Sequence, residues 1–243
     1  MHKSDRTEVH SNCISNEYEL SNAQKRIWFH QEVNQQSTAY NLSKIITFET
    51  VVDIGVLEKT VNYMIQRHEA LRTVIKEYNG APKQIIMKYS PTKLSMIDLC
   101  SEQGDEVLQS YINEDNNNAF DLTEKLFLFR LYKLNEEKYV LYLAFHHIIF
   151  DGWSQKIFDK ELMLIYHALL HNNQPELPEI KKQHLEWINE KKAWLQSDES
   201  NRMRRYWIAE IGGYIPKLEL PIDFATPKEK SFRGEYVTER IIG

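Results

Sequence analysis

The stretch that most constrains this chain runs from residue 137 to residue 171. "EKYVLYLAF" is almost continuously apolar and rich in β-branched and aromatic side chains, so it reads as a buried strand. "WSQKIFDKELMLIYHALLH" places Trp153, Ile157, Leu162, Ile165 and Leu169 mostly three or four residues apart, the spacing of an amphipathic helix. Between them stands "HHIIFDG", which must turn the chain from strand to helix. Gly152 is expected to supply backbone freedom at that join. Such a turn faces outward at a sheet edge and directs free backbone N–H groups at whatever binds there.

Two adjacent histidines on a strand end point to opposite faces, so only one of His146 and His147 can face a given cavity. The pair therefore cannot chelate one ion. No nearby cysteine or spaced third histidine completes a ligand set, and no metal site is expected. A strand end with one satisfied core histidine is the structural alternative to a reacting centre. Asp151 tips the balance towards chemistry, because a neutral histidine serves as a base only when its ring is oriented and its tautomer fixed. It would lock the turn by pairing with an arginine or a backbone donor, rather than by touching substrate.

Elsewhere helices alternate with strands. A helix is predicted in "YELSNAQKRIWFHQEV" with Ser21 as N-cap, and another in "DIGVLEKTVNYMIQRHEALR" with Asp53 as cap. "AYNLSKIITFE" reads as a strand, "TVIKEYNGAPKQIIMK" as two strands around "NGAP", and "LFLFRLYKLNEEKYVLYLAF" as a hairpin. "SEQGDEVLQSYINEDNNNAF" is helical up to its asparagines. "HNNQPELPEI" is a linker followed by two helices, and "FRGEYVTERII" is a closing strand. This is an α/β pattern with a mixed sheet. Residues 1–18 are polar and read as a flexible tail.

The 243 residues carry a net charge of −5, which argues against nucleic-acid binding. No apolar run reaches membrane-spanning length, and no glycine-rich phosphate loop is present. Cys13 and Cys100 are expected to be unpaired thiols, and the chain is read as cytoplasmic.

"HHIIFDGWS" resembles the H-H-x-x-x-D-G signature of condensation domains of non-ribosomal peptide synthetases, including the trailing W-S. "LSNAQKRIWF" is similar to their S-x-A-Q-x-R-[LIM]-W opening, "AYNL" follows it as in the family, and "RHEALRT" matches R-H-E-x-L-R-T. "HLEWINEKKAWLQ", "YWIAEIGG", "LELPIDFATP" and "SFRGEYV" resemble the segments leading into the family's second half. The resemblance covers residues 20–243.

It implies a chloramphenicol-acetyltransferase-like fold of two lobes around a tunnel. Residues 19–178 would form the first lobe, an α/β two-layer sandwich with a mixed sheet. Residues 179–243 would be the linker and the incomplete start of the second lobe. The implied reaction is amide formation between an acyl or peptidyl thioester and an aminoacyl thioester. Both would be held on carrier proteins by phosphopantetheine, with no cofactor bound directly. Donor and acceptor peptidyl carrier proteins, an adenylation domain and the rest of the C-terminal lobe are the implied partners.

Carried onto this sequence, His147 faces the tunnel, His146 supports the turn from the core, and Asp151 is structural. Gly152, Trp153 and Ser154 lie along the substrate arm, with Gly152 letting it approach the backbone. Arg67 and Arg72 are structural, Arg67 being the candidate partner of Asp151 and an arginine of the second lobe the alternative. Read without the family, both arginines simply complement a helix C-terminus. If Asp151 holds a buried charged bond, removing its charge is expected to cost roughly 3–5 kcal/mol. His147 is either the general base or an anchor for the attacking amine.

A full condensation domain is close to twice this length, so the chain is expected to be half of the machinery and inactive alone. Trp187, Trp194, Tyr206 and Trp207 would then present faces that the other half covers. A non-catalytic carrier-binding or scaffold fragment is the alternative function.

Overall fold

The computed structural model describes residues 13–100, 104–213, 215, 217–219 and 221–225. The chain divides into two compact units, Met1–Lys191 and Lys192–Gly243.

The first unit is organised by the hairpin of β6 (Phe127–Asn135) and β7 (Lys138–His146). Along β7, Tyr139, Leu141, Leu143 and Phe145 pack into one core cluster, while Val140, Tyr142 and Ala144 pack into another. Period-two alternation thus serves two apolar faces at once, so the strand reads as an unbroken apolar run. Helices α2 (Ile54–Arg67) and α4 (Gly152–Leu170) pack on the first face, and α3 (Gly104–Asn116) on the second. β2 (Asn41–Phe48) pairs antiparallel with β7, and β5 (Ser95–Asp98) pairs parallel with β6. The order β2-β7-β6-β5 is therefore a mixed sheet.

A smaller sheet has the order β1-β4-β3, from β1 (Cys13–Glu19), β3 (Thr73–Tyr78) and β4 (Ala81–Met87). The β3–β4 turn is Asn79-Gly80, with φ of 52° and 76°. That is the two-residue primed turn that Asn-Gly favours. Two strands were not legible in the pattern. β5 is short and lies at the sheet edge, while β1 occupies 13–18 of the stretch read as a tail, where pairing with β4 orders it. The tail's first twelve residues and the predicted strand "FRGEYVTERII" lie outside the described residues.

Helix α1 (Asn22–Val33) starts at Ser21 with a reciprocal capping box to Gln24, and α2 starts at Asp53, whose carboxylate accepts the Val56 N–H. The predicted second helix stops at Arg67, and Glu69–Arg72 is a separate 3-10 turn. In α4 the buried face carries Phe158, Glu161, Leu162 and Ile165. Trp153 and Ile157, expected on that face, are 74% and 51% exposed.

The segment 172–183 has no regular structure, yet it is fastened to the first unit. Arg67 donates to the Pro178 carbonyl, and the Gln183 amide bonds the Arg67 carbonyl and the Glu69 N–H. Helix α5 (His184–Leu195) follows. In the second unit, α6 (Asp198–Ile211) is capped by Ser197 and exposes Tyr206 and Trp207. Trp187 on α5 is half exposed. Among the described residues, no helix is long and apolar enough to cross a membrane.

Candidate functional site

The end of β7 and the turn after it are held from several directions. Asn41 of β2 stands opposite His146, and the Tyr40 carbonyl accepts the His147 N–H at 2.8 Å. The Leu126 carbonyl accepts the His146 N–H at 2.9 Å. Within the turn, the Ile149 N–H donates to the His146 carbonyl, and the Ile148 N–H donates to Nδ1 of the His146 ring at 3.2 Å. Phe150 stacks on Phe145 at 3.8 Å between ring centroids, which anchors the far side of the turn in the core.

The two histidines part company as strand alternation requires. His146 is fully buried, with the rings of Tyr40 and Phe120 beside it. Burial, reinforced by the neighbouring His147, lowers its pKa to about 4, so it is neutral at physiological pH. His147 is partly exposed, and its Nδ1 lies 2.7 Å from the Phe150 carbonyl oxygen. A carbonyl only accepts, so Nδ1 carries a proton, and in the neutral ring the lone pair is on Nε2. The turn therefore selects the tautomer of His147 without help from a carboxylate.

Asp151 is the N-cap of α4, and its Oδ1 accepts both the N–H and the hydroxyl of Ser154 at 2.8 Å. Desolvation raises its pKa, but hydrogen bonds from Ser154 and Trp153 and the proximity of His147 outweigh it, and the net shift is downward. Ser154 is thus committed to the cap. Of the backbone N–H groups expected to be free at this turn, that of Ser154 is taken by the Asp151 carboxylate.

Gly152, the first residue of α4, does not adopt a left-handed conformation; the positive-φ residues described are Asn79, Gly80 and Asn172. The backbone freedom expected of it is not used. A Cβ at Gly152 would meet nothing within 4 Å, so the space beside it is open. Trp153 is exposed, with the Lys156 ammonium 4.8 Å from its ring centroid.

Arg67 does not reach Asp151. It forms a two-pronged pair with Glu161, at 3.0 and 3.1 Å, while Nε2 of His68 lies 2.7 Å from the same carboxylate. Asp151 sits at an exposed helix start, whereas Glu161 is a buried carboxylate on α4 directly facing the end of α2, and a bidentate guanidinium is drawn there. Arg72 donates to the Ile65 and Met87 carbonyls, closing the last turn of α2 and tying it to β4. The bonds of both arginines go to groups outside the histidine turn.

Two contributors escaped the sequence reading. Gln24, buried in α1, donates to the Ile148 carbonyl at 3.2 Å, and Tyr40 packs against both histidines. Their only signal was their place in "SNAQKRIW" and "AYNL". No periodicity announces a contact spanning more than a hundred residues.

A family model described as "Condensation domain" matches residues 14–241. Surfactin synthase subunit 2 of Bacillus subtilis (strain 168) is 33% identical over 224 residues, 92% of this chain and 6% of that protein. Bacitracin synthase 1 of Bacillus licheniformis is 34% identical over 226 residues, 92% of this chain and 4% of that protein. The chain thus spans a small fraction of the curated relatives it matches. Among solved structures, a variant of the starter condensation domain of rhizomide synthetase shares the fold with a TM-score of 0.75 at 22% identity, over 83% of this chain and 49% of that one. The first condensation domain of the calcium-dependent antibiotic synthetase gives 0.71 at 21% identity, over 82% and 48%.

Proposed function

The chain belongs to the condensation-domain family, and on that premise we propose that, within a complete domain, it helps join an acyl or peptidyl thioester to an aminoacyl thioester. Both reactants would arrive on carrier proteins, each tethered through phosphopantetheine. The amine nitrogen attacks the thioester carbonyl carbon, the C–N bond forms, the C–S bond breaks, and the thiol leaves. One proton must travel from nitrogen to the departing sulfur.

The observation that carries this reading is the fixed tautomer of His147, whose Nε2 lone pair sits on a partly exposed residue. That lone pair can accept the proton and pass it to sulfur, as a general base. It can also accept a single hydrogen bond from the amine, leaving positioning to do the rest. Open space beside Gly152 supports the passage of a tethered arm past the start of α4. His146, buried and neutral, supports the turn.

The test is His147→Ala in a complete domain supplied with loaded donor and acceptor carriers. Turnover is expected to fall by more than about 10²-fold with folding intact, which supports base catalysis. A smaller fall would favour the anchoring role, and wild-type activity would remove His147 from the reaction. Assayed by itself, the 243-residue chain is expected to form no amide, since one partly exposed histidine does not hold two tethered reactants in register. Carrier binding by a complete domain without amide formation would leave the scaffold reading in its place.

A further inference from the structure

We propose that Gln24 is a positioning residue for His147, acting through the Ile148 peptide; the catalytic part of this rests on the function proposed above. Gln24 is 3% exposed and uses both ends of its amide. Its Oε1 accepts the Ser21 N–H at 2.9 Å, which closes the α1 cap, and its Nε2 donates to the Ile148 carbonyl at 3.2 Å. One buried side chain therefore ties the start of α1 to the residue directly after His147.

The Ile148–Ile149 peptide is held at both poles, its C=O by Gln24 and its N–H by the His146 carbonyl, and the His146 ring accepts the N–H of the peptide before it. Two residues on, the Phe150 carbonyl accepts the proton of His147 Nδ1. Rotating the Ile148 peptide would swing the chain that carries this carbonyl, and the acceptor that fixes the His147 tautomer would move with it. A helix cap alone needs only Oε1. The donor end of Gln24 is spent on the turn, and this separates positioning from capping.

Substitutions at residues 21 and 24 separate the two duties. Gln24→Glu retains an oxygen for the Ser21 N–H and, as the carboxylate, has no donor for Ile148. Gln24→Met keeps the shape and has neither group. Ser21→Ala removes the Ser21 hydroxyl from the cap and leaves the Gln24–Ile148 bond in place. The readout is the ¹⁵N resonances of the His147 ring in the 243-residue chain at neutral pH, which need no turnover. In both Gln24 variants the Nδ1-protonated, Nε2-free pattern is expected to give way to mixed tautomers, while Ser21→Ala keeps the wild-type pattern. In a complete domain the Gln24 variants are expected to lose about ten- to a hundred-fold in kcat with little change in KM.

Unchanged His147 resonances in a folded Gln24 variant would overturn the proposal. So would loss of the fold in both variants while Ser21→Ala folds, which would make Gln24 a core residue only. A shift of the resonances without any effect on turnover would uphold the positioning of His147 and count against the function assigned to it.

Discussion

Nδ1 of His147 lies 2.7 Å from the carbonyl oxygen of Phe150, three residues along the same turn. The catalytic-type tautomer is thus selected by main chain, an acceptor that stays unprotonated throughout the accessible pH range. In ¹⁵N-labelled protein at neutral pH, Nε2 of His147 is expected to resonate as the unprotonated ring nitrogen and Nδ1 as the protonated one. The reverse pattern would place the lone pair against the Phe150 carbonyl and contradict the geometry.

His146 makes the fold acid-sensitive above the carboxylate range. Its folded pKa is lowered from an ordinary 6.5 to about 4, so between those values the unfolded chain binds a proton that the folded chain refuses. Stability is complete above pH 6.5 and falls as the pH drops towards 4. A gap of about 2.5 pH units, at about 1.4 kcal/mol each, amounts to roughly 3–4 kcal/mol. His146→Asn, whose side-chain oxygen can accept the Ile148 N–H, is expected to flatten this slope in urea melts between pH 7 and 4.5. An unchanged slope would show that His146 does not titrate differently on unfolding.

Asp151→Asn is expected to be mild for stability. The carboxylate caps α4 at an exposed position, and asparagine caps as well as aspartate, so the cost in the chain is within about 0.5 kcal/mol. This replaces the larger penalty that a buried Arg67–Asp151 pair would have carried. The Asp151 pKa is lowered on folding, so its charge stabilises above the ordinary carboxylate range and that contribution fades as pH falls through the folded value. A melting temperature many degrees below wild type at pH 7 would show that the charge has a buried partner.

Gly152→Ala separates conformation from access. A Cβ there meets nothing within 4 Å and the residue is helical, so stability is expected to hold or rise by up to about 1 kcal/mol. In a complete domain, turnover with tethered substrates is expected to fall about ten-fold or more as the added methyl narrows the path. Full activity would mean that no substrate arm passes the start of α4.

Glu161 holds a buried ion pair between α2 and α4. Its side chain is 10% exposed and that of Arg67 16%. Burial raises the Glu161 pKa, but bonds from His68 and Arg67 prevail and hold it below the ordinary range; its contribution is present at neutral pH and lost as pH falls through the folded value. Arg67→Met is expected to cost about 2–3 kcal/mol by leaving the buried Glu161 carboxylate with His68 as its remaining partner. It would also release the Pro178 carbonyl and speed proteolysis within 172–183. Unchanged urea midpoints and cleavage rates would deny the pair its fastening role.

Patterns with a local cause were legible in the sequence. The apolar run of β7, the caps at Ser21 and Asp53, the Asn-Gly turn and the "HHIIFDGWS" junction each follow from contacts within a few residues. The separation of His146 from His147 also followed, because strand alternation is local. Which carboxylate Arg67 would meet and that Gln24 reaches Ile148 were decided only by the fold, while the His147–Phe150 bond is local to the turn but has no signature in residue type. The first two depend on which surfaces α1, α2 and α4 present to the sheet. A hydrogen bond across 124 residues is chosen by that packing, since residue spacing sets where a side chain lies on its own helix but not what stands opposite it.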